Sequence, residues 1–342
     1  MNRTIEQDMT NAHRTFAPSE SDLGAFIAER LLEVENFLDV AVTQASRLPN
    51  ESSHHLLNAG GKRARPVLVL LAAQFGDPTR PEVVKAAAAV ELTHLATLYH
   101  DDVMDDAPVR RGATAAHLVW TNSVAILTGD VLFARASVLS SELGPRAVLL
   151  QSETFERLVL GQLAEFSGPE DGTDPVEHYL TVLADKTGSL IAAAVEFGLL
   201  TSGAPEDLVP IMREYGEKVG VAFQLADDII DLTSTGDASG KTPGTDLREG
   251  VVTLPVLYVR EAAEAGDSAA AEVVELLDSD LSSDEALEAA RSALAAHPVT
   301  ERVRAEALRW ADEAIAALDT LPAGEVKDGL VDFARQSVSR VG

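Results

Sequence analysis

Leu95-Ala96-Thr97-Leu98-Tyr99-His100-Asp101-Asp102-Val103-Met104-Asp105 is the stretch that decides the fold. A helix-forming, largely apolar run ends in carboxylates at i, i+1 and i+4, and positions i and i+4 share one face of an α-helix about one turn apart. The pattern returns 126 residues later as Asp227-Asp228-Ile229-Ile230-Asp231, after Val221, Phe223, Leu225 and Ala226. One such pattern alone is most often a solvated acidic face. Two copies inside apolar runs read differently, because solvated faces do not usually sit there. Two helices facing each other through these motifs bring six carboxylates into one cavity. Like charges that close, out of water, need a compensating cation. Hard divalent cations with oxygen ligands supply it, and Mg²⁺ usually bridges carboxylates to phosphate oxygens.

Composition sets the frame around these motifs. The chain has 342 residues, 46% of them hydrophobic, enough for a large core. Ala, Leu, Val and Glu dominate and alternating β-branched runs are scarce, so the fold is read as all-α. There is no cysteine, hence no disulfide and no thiolate zinc site. A net charge of −28 argues against nucleic-acid partners and anionic membrane faces. No apolar run approaches the length needed to span a bilayer; Pro66 to Ala73 is the most apolar stretch and is too short. No transmembrane segment and a cytoplasmic location are expected. Residues 1–20 are polar, lack a signal-peptide core and read as disordered or loosely attached.

From Ser21 onward the pattern is helical. Ser21 is the N-cap expected for a helix to about Ala45, with Leu23, Phe26, Ile27, Leu31, Val34 and Leu38 on one face. Pro66 and Pro81 open further helices, the second running to the first acidic motif and ending near Asp105. Helical windows follow at about 113–142, 145–167, 176–202 and 206–232. The segment 233–250, with four glycines and Pro243, follows the second motif and has the length and place of a lid. From Val251 helical windows alternate with short polar breaks. No composition boundary divides residues 21–342, which read as one domain.

Cations cluster near the acids. Gly60-Gly61-Lys62-Arg63-Ala64-Arg65-Pro66 packs three cations behind two glycines. Glycines allow close backbone approach, and guanidinium and ammonium groups suit phosphate oxygens. The spacing is not that of a Walker A loop. Arg110-Arg111 begins five residues beyond Asp105, Lys186-Thr187 lies in an apolar window, and Lys241 sits in the long loop. His94 is seven residues before Asp101 and on nearly the same helix face.

These pieces, with Phe223-Gln224, Gly240-Lys241, Asp246-Leu247-Arg248-Glu249-Gly250 and Thr253-Leu254-Pro255, resemble the trans-isoprenyl (polyprenyl) diphosphate synthases over about residues 21–340. The resemblance implies a single-domain isoprenoid-synthase helical bundle around a deep central cavity, as a homodimer. It makes Asp101, Asp105 and Asp227 metal ligands, with Asp102, Asp228 and Asp231 in or behind the metal shell. Lys62, Arg65, His94 and Arg111 would hold the diphosphate of isopentenyl diphosphate. Arg110, Lys186 and Lys241 would hold the allylic diphosphate, and Thr187 and Gln224 would lie along the reacting carbons. Two departures stand out: Val251 where the family often has Lys, and an additional acid, Asp106.

Such a site suits ionisation, condensation and elimination, with diphosphate neutralised by Mg²⁺ and cations and water kept from an allylic carbocation. Product length would depend on the helix below Asp101. Ala96 and Thr97, one turn down, and Thr93, Val90 and Ala89 deeper are not bulky, and the resemblance is to the long-chain type that makes quinone side chains, C30–C50. Phe133, Phe155 and Leu158 on neighbouring helices are the side chains able to plug the path. A short-chain geranylgeranyl or farnesyl diphosphate synthase shares every site residue. A terpene cyclase would lack the second aspartate motif and the 60–65 cluster, and a non-catalytic regulatory subunit would tend to lose one motif.

Overall fold

A computed structural model describes residues 21–234 and 243–339. The expectation for residues 1–20 and part of the anticipated lid, with Lys241, lie outside them. Apart from connecting turns and one hairpin of two-residue strands, the described chain is helical. It opens with α1 (Asp22–Val42), capped as expected by the Ser21 hydroxyl, which accepts from the Gly24 amide at 3.1 Å. Then come α2 (Arg47–Asn58), α3 (Ala64–Ala72) and α4 (Pro81–Met104), the last ending inside the first acidic motif. The window 113–142 is not one helix. Val109–Arg110 and Ala113–Thr114 form the hairpin, followed by α5 (Ala116–Val119) and, after a break at Trp120, α6 (Asn122–Leu143). The Thr121 hydroxyl caps α6 at the Val124 amide, which stops one continuous helix.

The next helices are α7 (Pro145–Ser167) and α8 (Pro175–Leu183). A π-turn over Ala184–Gly188 leads directly into α9 (Ser189–Ser202), which is followed by α10 (Leu208–Thr233). The short α11 (Thr245–Glu249) occupies part of the stretch expected to be loop. Then follow α12 (Leu254–Glu264), α13 (Ser268–Leu277), α14 (Asp284–Ala296), α15 (Pro298–Ala317) and α16 (Glu325–Val338).

Two apolar clusters share α10. One joins α1, α3, α4, α6 and α9 to the first half of α10, and the other joins the second half of α10 to α12, α14 and α15. Helices α4, α6, α7 and α9 form a ring in which each packs on its two neighbours (α4 on α6, α6 on α7, α7 on α9, α9 on α4), while the diagonals approach far less. The α4 side of the ring is small: Ala86 to Ala89 and Ala96 are fully buried. Helix α10 crosses α9 at glycines. A Cβ on Gly220 would stand 2.5 Å from the Gly188 Cα, so this crossing is as close as backbones allow.

Helix α6 corrects one expectation. Its 22 residues are long and apolar enough to cross a membrane by length and composition. Asp130 and Arg135 interrupt the apolar run, which hid this in the sequence. In the fold α6 packs on α4 and α7.

Candidate active site

Both acidic motifs end up at one end of the bundle because they occupy the C-terminal turns of α4 and α10. Asp105 is the C-cap of α4, and its amide bonds the Asp101 carbonyl at 2.8 Å. The chain then reverses through Asp106 and Arg111, at φ 49° and 55°, while Arg63, at φ 49°, precedes α3. These are the non-glycine residues with positive φ among those described, and all three stand beside the motifs or the basic loop. Such conformations cost of order 1 kcal/mol or more and persist where surrounding contacts hold them.

The three cations of the 60–66 segment have three different settings. Arg63 is buried and multiply bonded: it pairs with Glu35, and its Nη1 donates to Glu91 at 3.1 Å and to the Gly60 carbonyl at 3.2 Å. Burial pushes its pKa down, but Glu91 and Glu35 together outweigh that and leave it raised. Arg63 is an anchor for the loop. Lys62 is exposed, with its Nζ 5.9 Å from the Phe223 ring centre. Arg65 has a buried Nε without a hydrogen-bond partner. Burial, reinforced by Arg111 and opposed by Glu91 and Asp227, pushes its pKa down to about 10.

Arg111 donates to the Gly60 carbonyl and reaches Glu91 at 3.8 Å. Burial, with Arg63 and Arg110 nearby, lowers its pKa. His94 is held well below its ordinary pKa, first by burial and then by Arg65, Arg111, Arg63 and Arg110, so it is neutral at pH 7. Arg65, Arg111 and His94 therefore converge, and the field of Asp227 reaches Arg65 from α10.

On the acidic side, Asp101 is pushed up to about 7, mainly by burial and by Asp105 and Asp102, against the pull of Lys186 and Arg110. Burial also raises Asp105. Asp102 is fully buried; its Oδ1 accepts from Arg110 Nε at 2.6 Å, and its Oδ2 has no partner. Asp228 rises to about 7 through burial, although Tyr179 and Gln224 (Nε2 to Oδ1, 3.2 Å) donate to it. Gln224 Oε1 accepts from the Thr187 hydroxyl at 3.3 Å, so one chain of hydrogen bonds runs from the π-turn to the second motif. Lys186, on the same turn, pairs with Glu165 while acting on Asp101 and Asp105. Asp231 accepts from the Asp246 amide at 3.2 Å and, through its carbonyl, from the Gly244 amide at 3.0 Å, tethering α11 to α10.

Among the described residues, no three acidic or imidazole groups gather closely enough to cage a metal alone. The donor set is carboxylate oxygen, with one orphaned buried oxygen on Asp102. That fits a hard divalent cation sharing its coordination with a second, phosphate-bearing ligand.

The sequence reading missed several residues of this site. Glu91 and Glu35 position the basic loop, Glu165 holds Lys186, and Tyr179 holds Asp228. Glu91 left a signal, being a lone carboxylate in the run from Ala86 to Leu92. Tyr179 left none.

The match to known proteins decides the family. The family model described as "Polyprenyl synthetase" matches residues 46–294, well over half the chain. The chain belongs to the polyprenyl synthetase family. Nonaprenyl diphosphate synthase of Mycobacterium tuberculosis is 44% identical over 93% of this chain and 94% of its own length. The polyprenyl synthase of Caulobacter crescentus, solved with calcium and isoprenyl diphosphate, superposes with a TM-score of 0.85 at 32% identity, covering 92% of this chain and 96% of that one. Geranylgeranyl pyrophosphate synthase of Corynebacterium glutamicum, also solved with calcium and isoprenyl diphosphate, has a TM-score of 0.82 at 43% identity, with 94% and 98% covered. As a polyprenyl synthetase the chain is a prenyltransferase of the trans-isoprenyl diphosphate synthase type with the all-α isoprenoid-synthase fold, acting on prenyl diphosphates with a divalent metal.

Proposed function

We propose that this polyprenyl synthetase is a Mg²⁺-dependent synthase that condenses isopentenyl diphosphate with an allylic diphosphate and makes a long all-trans product, C30–C50. The observation that carries the reading is Arg65, a half-buried guanidinium whose buried Nε has no hydrogen-bond partner, beside a neutral His94 and within the field of Asp227. A cation set this way is stabilised by an anion.

In this reading Lys62, Arg65, Arg111 and His94 hold the diphosphate of isopentenyl diphosphate, His94 donating a hydrogen bond without adding charge. Arg110, Lys186 and Lys241 hold the allylic diphosphate. Asp101, Asp105 and Asp227 take the metal, backed by Asp102, Asp228 and Asp231. Bound Mg²⁺ supplies Lewis-acid neutralisation of the leaving diphosphate. Thr187 and Gln224 present oxygen lone pairs along the reacting carbons, where positive charge develops. The carbon–oxygen bond of the allylic diphosphate breaks, the double bond of isopentenyl diphosphate forms the new carbon–carbon bond, and the proton lost goes to the released diphosphate. Residues 233–250 exclude water from the cation.

Chain length rests on the small side chains Ala96 and Thr97 below Asp101 and on likeness to a nonaprenyl diphosphate synthase. A second reading, a C20 product, is favoured by 43% identity to a geranylgeranyl pyrophosphate synthase. Incubating the enzyme with Mg²⁺, isopentenyl diphosphate and farnesyl diphosphate, then sizing the dephosphorylated products, separates them: C30 or longer supports the first, a stop at C20 the second. Asp101→Ala and Asp227→Ala should each abolish turnover; near-normal turnover in either defeats the metal assignment. A homodimer is part of the same reading. It is supported by an apolar face left exposed on α6 and α7, including Leu127, Leu149, Leu160, Leu163 and Phe166, each more than half exposed.

A further inference from the structure

Helix α14 packs against the end of α10 that carries the second aspartate motif, and Arg291 is the side chain that reaches across. Leu287, one turn before it, and Leu294, one turn after, are buried in the second apolar cluster. The stem of Arg291 therefore lies along an apolar surface, and its side chain is only 11% exposed. Glu288 on the same helix grips the head, accepting from Nε at 2.9 Å and from Nη2 at 2.7 Å. Nη1 is left for another helix and donates to the Leu232 carbonyl of α10 at 2.5 Å. Leu232 follows Asp231 and is the last residue but one of α10, so its carbonyl is among the four that a helix leaves unpaired at its C-terminus. The same stem packs on Gly244, where a Cβ would stand 3.2 Å from the Arg291 Cδ. Gly244 donates its amide to the Asp231 carbonyl at 3.0 Å, and the Asp246 amide donates to Asp231 Oδ2 at 3.2 Å. Arg248 of α11 pairs with Asp284 in the first turn of α14.

We propose that Arg291 is a positioning residue for the second aspartate motif: it holds the last turn of α10 from behind and, through Gly244, fixes where the Asp231 carboxylate stands when metal and diphosphate bind. The inference rests on the assignment of Asp231 to the metal shell made above. Asp227, Asp228 and Asp231 lie in the last two turns of α10, the negative end of the helix, where the dipole and their mutual repulsion both oppose them. Last-turn carbonyls have no partner within the helix, so this turn frays unless something outside it holds it. A planar guanidinium gripped on two nitrogens by Glu288 has one orientation, and its bond to Leu232 then fixes the backbone beside Asp231 in direction as well as distance. Glu288 foremost, with Asp231, outweighs partial burial and holds the pKa of Arg291 up, so the grip stays charged. Position and charge act on a bound cation with opposite signs. A bare positive charge repels Mg²⁺, and its loss tightens metal binding. Loss of a positioning group loosens it, and groups that orient metal ligands from behind typically account for about 10–100-fold in metal affinity.

The test is a calorimetric titration of the full-length protein with Mg²⁺ at fixed inorganic diphosphate, against a protein-free blank, with the KM for isopentenyl diphosphate measured at saturating Mg²⁺. Arg291→Met should weaken Mg²⁺ binding about tenfold and leave that KM unchanged. Arg291→Lys keeps the charge without the planar fork and should show the same weakening. Arg302→Met is the control: this half-exposed arginine of α15 pairs with Glu261, packs over Tyr258 and should leave Mg²⁺ binding as in the wild type. Asp231→Asn should weaken Mg²⁺ binding too, and adding Arg291→Met to it should weaken it no further. Unchanged or tighter Mg²⁺ binding in Arg291→Met overturns the inference, as does full recovery in Arg291→Lys, which would make charge and not position the agent. Equal weakening in Arg302→Met overturns it as a general loosening of the C-terminal helices. An additive double variant overturns it by placing the effect away from Asp231. Wild-type Mg²⁺ binding in Asp231→Asn defeats the metal assignment of that residue and the inference with it, whereas weakening in Asp231→Asn without any in Arg291→Met defeats the inference alone.

Discussion

Arg63 and Arg65 are two residues apart in one basic loop, yet the structure gives their removal opposite signs. Arg63 bridges Glu35 and Glu91 and also donates to the Gly60 and Leu57 carbonyls. Its side chain is 5% exposed and that of Glu91 only 2%. Arg63→Met leaves Glu91 with Arg111, 3.8 Å away, as an ion-pair partner, and with the more distant field of Arg65. Removing one partner of a buried ion pair costs about 3–5 kcal/mol. At about 2 °C per kcal/mol for a chain of this size, the melting temperature should fall by roughly 6–10 °C. Arg65 has no such partners, and burial has already pushed its pKa down to about 10. That depression corresponds to roughly 3 kcal/mol of unfavourable burial of the charged form as an upper bound, since relaxation and water relieve part of it. Arg65→Met should therefore melt at or about 2 °C above the wild type. Inorganic diphosphate at 100 times its dissociation constant should stabilise the wild type by about 2.7 kcal/mol and leave Arg65→Met almost unmoved. The assay is thermal melting without metal, with and without diphosphate, followed by the KM for isopentenyl diphosphate. If Arg65→Met melts as low as Arg63→Met, Arg65 is structural and the anion-site argument fails.

Three further outcomes are expected. Asp101 has a folded-state pKa of about 7, above the ordinary carboxylate value. The folded protein thus holds this proton more tightly than the unfolded chain, and the stability it contributes is lost as pH rises from about 4 through about 7. Asp101→Asn should flatten that loss and raise the ligand-free melting temperature at pH 8 while cutting turnover by about a hundredfold or more; a lower melting temperature at pH 8 contradicts this. Tyr179→Phe removes a hydrogen bond that holds Asp228 down against burial, so the acidic limb of the kcat/KM profile should move up by about 1 pH unit; an unmoved limb means Asp228 does not need to ionise. Gly220→Val drives a Cβ to 2.5 Å from the Gly188 Cα and should cost about 1–3 kcal/mol. It should also lower kcat by displacing Thr187 on the π-turn, and a variant with wild-type melting and turnover refutes the crossing argument.

Local signals made the helices legible. Ser21 and Pro81 start α1 and α4 because caps and early prolines act within one turn of chain. The acidic motifs and the basic loop were legible because unlike chemistry inside apolar or acidic surroundings is conspicuous. What stayed hidden depends on residues distant in sequence. Nothing local separates Arg63 from Arg65; only Glu35 and Glu91, reached through α1 and α4, make one an anchor and leave the other unpaired. Tyr179 is found 49 residues from the carboxylate it serves. Helix α2 went unread because its surface is polar and Pro49 sits in its first turn, where proline costs little. The π-turn 184–188 has ordinary residues and arises where α9 meets the close Gly188–Gly220 crossing.

The ligand-free site is electrostatically unsatisfied on both sides, and this has a consequence for binding order. Arg65 and Arg111 are cations held below their ordinary pKa, while Asp101 and Asp228 are acids held above theirs. The two sets do not neutralise each other, because Arg63 and Tyr179 fix loop and helix from behind. A metal alone would meet carboxylates that favour their protons near pH 7, and a diphosphate alone would meet the carboxylates' charge. Together they cancel both, so each should tighten the other, and linkage requires the two enhancements to be equal. Calorimetric titration should therefore find Mg²⁺ binding weak without a diphosphate, tighter with one, and accompanied by proton release that vanishes above pH 8. Equal Mg²⁺ affinity with and without diphosphate would mean that the carboxylates are already organised as a metal cage, and the cooperative account would fail.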